Sequence, residues 1–431
     1  MHPESLSLVD AAGAIRRGEL SPLEYATGLL ARIDSIETQI RAWVTIDRDA
    51  VLAEARACET EARQKRFRGP LHGIPIGIKD VFYTKGLRTT MGSSLFNDFV
   101  PDSDARVVAN LKRAGAIVLG KSVTTQFAYL DPGPTGNAWN PTHTPGGSSS
   151  GSAAAVASRM CPAATGSQTV GSIGRPASYN GIVAMMPTQQ RVSAENVFPD
   201  AWSLDHMGAF ARSVPDIELI FEAIAEGTVE RLPRPKPIRI GVLRGFFYAN
   251  ASDEMRGSID NLAVQLSHSG FDVDEAQLPE MFDMGPSILR TILRAEMAAA
   301  HQDLYTVSSN DYGPKIRAVV EIGSLVDSVS YLRAKRLRQI YKREMQKIFE
   351  RFDAVISPGA RGTAPEGLAA TGDSIMQLPW ALADFPTLSL PHAVGANGLP
   401  LGIQVTAAPF EEGMLLAIGK TLEDVISFPY L

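Results

Sequence analysis

Residues 144–181 read TPGGSSSGSAAAVASRMCPAATGSQTVGSIGRPASYNG. Serine and glycine dominate and large side chains are nearly absent, unlike an ordinary buried helix or strand. Small residues let hydroxyls and backbone amides crowd one point. Attack on a carbonyl needs that crowding, because a nucleophilic oxygen and several N–H donors must surround one developing oxyanion. A flexible Gly/Ser linker shares the bulk composition. The interior AAAVAS and the closing RPASYNGIVAMMP argue against a linker, since both are apolar and linkers seldom carry such inserts.

Around this stretch lies a chain of 431 residues, 45% apolar, enough for one large α/β domain or two or three smaller ones. Lys and Arg number 41 against 47 Asp and Glu, a net charge of −6 with no long run of either sign. That balance disfavours a nucleic-acid or acidic-membrane partner. The opening MHPESLSLVDAAGAIRRGEL has Glu4 and no apolar leader core, and no run of 18 apolar residues occurs, so neither targeting nor anchoring is expected. Cys58 and Cys161 are too few for a disulfide framework, which fits a reducing cytoplasm. Seven scattered histidines show no HxxxH spacing, and no metal or other cofactor is expected.

Ser21-Pro22-Leu23-Glu24 sets a capping hydroxyl, a first-turn proline and an acid at the start of a helix running to about Ile36, and residues 48–66 form a second, charged one. LHGIPIGIK (71–79) reads as a buried strand ending at a lysine. From Asp104 to Gly120, Val107, Val108, Leu111 and Ala114 keep helical spacing before the strand AIVLG, and helix followed by strand points to a parallel or mixed sheet. PRPKP (233–237) breaks the pattern before the strand IRIGVL (238–243). A long basic amphipathic helix spans Ser328–Phe349, more a solvated face than an interface, and DAVISP, PTLSLP and GLPLGIQVTA give three last strands. The expected organisation is one domain over 1–431: N-terminal helices (1–66), a catalytic core (67–232), an inserted or appended lobe (233–340) and C-terminal core strands with a pocket loop (341–431).

GIPIGIKD (73–80), GKSVTTQFA (120–128), NAWNPTHTPGGSSSGSAAAVAS (137–158), GSQTVGSIGRPASYNG (166–181), SLDHMG (203–208) and GLPLGIQV (398–405) stand in an order that resembles the amidase signature hydrolases over most of the chain. The pattern is most similar to the small-acid amidases of malonamidase type. The resemblance implies an α/β fold with a central mixed, twisted sheet of about eleven strands, covered by helices on both sides. It also implies a Ser-cis-Ser-Lys triad without a cofactor. On matching positions the nucleophile is Ser172, the bridging serine Ser148, 24 positions earlier and joined to Gly147 by a cis bond, and the base Lys79. Ser149, Ser150 and Ser152 are the other candidates for the bridge.

The chemistry of the residues agrees. A serine hydroxyl is a weak nucleophile until a neighbouring base takes its proton, and no histidine is placed by sequence to do so. A lysine serves only if its pKa falls, which desolvation at the end of an apolar strand favours, with Asp80 a competing influence. The backbone N–H groups of Thr169, Val170, Gly171 and Ser172 are the expected oxyanion hole. Asp205 and His206 tempt a Ser-His-Asp reading, but adjacent residues on a strand do not face one another.

Four positions depart from the family pattern. Val170 stands where the family has glycine or alanine, a strained choice if φ is positive. Ser167 replaces a threonine, Gln168 an aspartate and Gln126 a glutamate. Arg175, three positions after the nucleophile, is expected either to grip a substrate carboxylate or to bond loop carbonyls. The loop Thr363–Trp380 is expected to line the pocket, with Met376 and Trp380 shaping it. The leading expectation is an amidohydrolase that cleaves a linear carboxamide to an acid and ammonia or an amine through a seryl acyl-enzyme. Its partner would be a small-molecule amide, with no nucleic acid and no membrane, and a homodimer is allowed but specified by no motif. The alternatives are a glutaminase subunit of amidotransferase A type acting with a partner, or a degenerate, non-catalytic member. Against the subunit stand the acidic balance and a chain that ends soon after GLPLGIQV without a basic tail.

Overall fold

The apolar, glycine-bounded segments become strands and the periodic ones become helices, as their patterns dictate. In the computed structural model, which describes residues 3–230 and 237–431, Ser21 caps the helix Pro22–Ile40 by accepting from the N–H groups of Leu23 and Glu24. A charged helix follows at Arg48–Arg63. Among the described residues eleven strands form: β1 Trp43–Thr45, β2 Pro75–Lys79, β3 Ile117–Ser122, β4 Ala163–Gln168, β5 Val183–Met186, β6 His206–Ala211, β7 Arg239–Leu243, β8 Asp272–Ala276, β9 Ala354–Pro358, β10 Thr387–Val394 and β11 Pro400–Thr406. The expected break at PRPKP lies outside the described residues except for Pro237.

All eleven strands join one sheet in the order β1-β3-β2-β4-β6-β5-β10-β11-β9-β7-β8. β2 runs parallel to β3 and β4, and β7 parallel to β8 and β9, while β4, β6, β5, β10 and β11 pair antiparallel, so the sheet is mixed. Side chains alternate between its faces. Val183 and Met185 pack into one buried cluster with Ile76, Ile78 and Ile240, whereas Ala184 and Met186 join a second with Ala153–Val156 and Trp380. Helices cover both faces. The segment 233–340 adds β7 and β8 to this sheet, and its helix Gly285–Ser308 sends Leu289, Ile292 and Met297 into the second cluster. The helix Ser328–Gln346 buries Ala334, Arg338, Tyr341 and Met345 and leaves its other face exposed. No helix among the described residues is long and apolar enough to cross a membrane.

Two devices bring the small-residue stretch to one point. The helix Ser150–Ala157 is buried on every side, which only a sequence such as SGSAAAVA allows. β4 ends at Gln168, and its side-chain oxygen accepts from the N–H groups of Ile173 (2.7 Å) and Gly174 (2.9 Å), folding 169–172 into a tight corner.

Candidate active site

Lys79 closes β2 in full burial, between the serine loop and β4. Its Nζ lies 2.7 Å from Ser148 Oγ and 2.7 Å from Ser167 Oγ. Burial pushes the amine down to about 7 from its ordinary 10.5, partly offset by the nearby Asp200–Asp205 pair, which together carries negative charge. Asp80, the next residue, turns away to Thr90 and to Lys121 at 3.5 Å. Lys121 is a second fully buried amine, bonded to Phe82 O and Thr89 Oγ1 and lowered by burial to about 8. It is absent from the residues expected at the site, because nothing in GKSVTT marks a lysine that turns inward.

The Gly147–Ser148 peptide bond is cis. Among the four serines of the loop, Ser148 alone bonds to Lys79. Ser149 Oγ is 3.3 Å from Ser167 O, Ser150 Oγ 3.3 Å from Val123 O, and Ser152 Oγ 2.7 Å from Ser122 Oγ. Ser172 sits half-buried on the wall of a cavity of about 400 Å³, beside Thr169, Val170 and Gly171. No described group hydrogen-bonds to its Oγ, so Lys79 and Ser148 are joined directly while Ser172 stands free toward the cavity. No described residue accepts from the backbone N–H groups of 169–172. Val170 is not among the residues with left-handed φ, so its branched side chain carries no such strain here.

Thr169 reveals a pair that the sequence did not. Its Oγ1 lies 2.8 Å from Asp200 Oδ2 and 2.7 Å from Asp205 Oδ1. A hydroxyl has one proton to donate, so the other contact needs a carboxyl proton. Asp205 also accepts the N–H groups of Asp200 (3.0 Å) and Ala201 (3.1 Å), while Asp200 Oδ1 is buried without a partner. The proton therefore belongs on Asp200. Burial, then the Asp205 charge, holds the Asp200 carboxyl well above the usual range; burial carries Asp205 up to about 6. Asp200 lines the cavity.

Arg175 is fully buried and spends its fork on the loops: one terminal nitrogen donates to Gly372 O at 2.9 Å, the other to Gly147 O at 2.6 Å and Thr371 Oγ1 at 3.2 Å. It touches the cavity while holding the serine loop. Of the loop 363–380, Asp373, Ser374, Ile375 and Leu378 line the cavity. Met376 and Trp380 do not; both are fully buried, and the indole stacks on Phe247 with ring centres 5.9 Å apart. His206 is buried against Asp384 at 3.4 Å, and His143 lies on the surface beside Thr142.

A family model described as Amidase matches residues 24–416. The A-type subunit of glutamyl-tRNA(Gln) amidotransferase from Roseiflexus sp. (strain RS-1) is 34% identical over 97% of this chain and 96% of its own. The protein of the same name from Methylococcus capsulatus is 34% identical over 97% and 96%. Among solved structures, an amidase covers 98% of this chain and 100% of its own at 30% identity and TM-score 0.92. The peptide amidase of Stenotrophomonas maltophilia covers 99% and 98% at 27% identity and TM-score 0.87. A chain from a vestigial protein complex that bears on the origins of an s-triazine catabolic enzyme covers 98% and 99% at 28% and 0.91.

These relatives correct the expectation about partners. A small-molecule amide with no nucleic acid as the partner does not fit relatives named as one subunit of an enzyme named for a tRNA. Net charge misled because it averages over the whole surface, whereas a contact between subunits depends on one local patch. With the family model spanning residues 24–416 and full-length relatives at 34% identity, the chain belongs to the amidase family.

Proposed function

We propose that this chain cleaves a primary carboxamide through an acyl-enzyme at Ser172, as the ammonia-releasing, A-type subunit of an amidotransferase. The observation that carries the chemistry is the Lys79 amine, dry, 2.7 Å from Ser148 Oγ and lowered to about 7. Neutral Lys79 takes the Ser148 proton as Ser148 takes that of Ser172, and Ser172 Oγ attacks the amide carbon. The oxyanion lies against the free N–H groups of 169–172. Ser148 then returns a proton to the departing nitrogen, the C–N bond breaks and ammonia leaves. Water, activated through the same two groups, hydrolyses the ester. The role within a larger enzyme rests on the relatives, which match along nearly the whole chain under that one name.

Ammonia release from glutamine and other primary amides tests both parts, with the chain purified alone and with the proteins that accompany it from its own cell. Ser172→Ala is expected to lose about a thousandfold or more, and Lys79→Met about a hundredfold or more. Wild-type rates in either variant, with the fold intact, overturn the seryl chemistry. Full-rate hydrolysis by the isolated chain, unchanged by any accompanying protein, overturns the role within a larger enzyme and keeps the chemistry.

A further inference from the structure

We propose that Arg290 is the anchor for an anionic group of the substrate, and that the site is selective for amides that also carry a carboxylate. The inference rests on Ser172 as the nucleophile of the same cavity and follows from an account of the charges in its wall. Five charged side chains line it: Arg175, Asp200, Arg290, Arg361 and Asp373. Arg175 is tied to Gly147 O and Gly372 O. Arg361 pairs with Asp373 at 2.8 Å, and Asp373 accepts the Ile375 N–H at 2.9 Å. Asp200 holds the proton it shares with Thr169 and Asp205, so it offers no counter-charge. Arg290 has no hydrogen bond or ion pair from its side chain among the described residues. The wall is therefore left with one uncommitted charge, and it is positive.

The surroundings suit a small acid-bearing amide. Arg290 stands on the helix Gly285–Ser308 between Leu289 and Leu293, which face the same cavity with Pro286, Ile375 and Leu378 and give an apolar lane for a short methylene stem. Arg294, one turn further on, is close enough to Tyr129 on the wall to act on its phenol, adding a second positive charge on that side. Arg290 is exposed to solvent with no described partner to displace, and its planar fork matches a carboxylate with two hydrogen bonds. Arg175, the residue that sequence offered for this task, has both terminal nitrogens occupied.

Fluorophosphonate labelling of Ser172 in the full chain, with amides added as protectants, tests this without requiring turnover. The probes are matched pairs of primary amides of equal length, one ending in a carboxylate and the other in a hydroxymethyl group. The acid is expected to protect at about tenfold lower concentration or better, the effect of one charge-assisted hydrogen bond. Arg290→Gln is expected to erase that preference, and Arg290→Glu to shift it toward an amide ending in an ammonium group. Equal protection by both members in the wild type, or an acid preference that survives Arg290→Gln, overturns the assignment. A folded wild type that does not label at Ser172 overturns the nucleophile instead, and the anchor falls with it.

Discussion

Lys79 shows how surroundings set the chemistry of one residue. The last position of an apolar strand strips water from the amine, and two hydroxyls at 2.7 Å are poor substitutes for it, so the neutral form gains. The hydrolytic rate is then expected to rise with pH through about 7, as Lys79 loses its proton. Stability follows the same group. Between about 7 and 10.5 the unfolded chain binds a proton that the folded chain does not, so folding strengthens as pH climbs through that window, and the cost of burial is felt in full below it. Lys79→Met, which carries no titrating group, is accordingly expected to gain stability over the wild type, more at about pH 6 than at about pH 10, in urea titrations. An equal difference at both values would show that folding does not lower the amine. The placing of Lys79 beside Ser148 was legible because each sits inside a dense local pattern. Asp200 was not, since its meaning comes from Thr169, distant in sequence, and Lys121 was not, since nothing beside it marks the direction of its side chain.

At the scale of elements, the decisive stretch works by what it omits. Gly151 lets the helix Ser150–Ala157 approach the chain so closely that an added Cβ would fall 2.3 Å from Ala42 O and 2.4 Å from Val123 N. Both atoms are backbone, so relief requires the helix to move and to carry Ser148 off Lys79. Gly151→Ala is therefore expected to lower stability by about 1–3 kcal/mol in urea unfolding and to slow labelling of Ser172. Unchanged stability would mean that the helix has slack the distances deny. Among the elements that sequence left unread is the helix Gly285–Ser308, which carries Arg290. It begins at Met284 directly after a short tight turn at Glu280–Met284, and its first-turn Pro286 stands without the capping side chain that completes the usual start signal. Ser21, Asp47 and Ser213 mark their helices with capping hydrogen bonds, and the first two of those helices were read from sequence.

At the scale of the whole molecule, the break at 233–237 suggests a boundary, yet the sheet runs across it. β9 is an interior strand only because β7 pairs on one side of it and β11 on the other. Ile240, Gly241 and Val242 bond along Ala354, Val355 and Ile356, all three of them buried. Below the sheet, Leu289, Ile292, Met297 and Val319 share one cluster with Ala153–Val156 and Trp380. Removing residues 238–340 would therefore uncover an apolar strand edge and one wall of the cavity together, and bare edges of this kind recruit other chains. The shortened chain is expected to aggregate, and the full chain to unfold on heating in one cooperative transition. Calorimetry and size-exclusion chromatography check both. Two separate transitions, or a soluble monomeric deletion variant that still labels at Ser172, would show that the segment is independent of the site. A single transition would instead tie Arg290 to the same cooperative unit as Ser172, which is what fixed geometry between the proposed anchor and the proposed nucleophile demands.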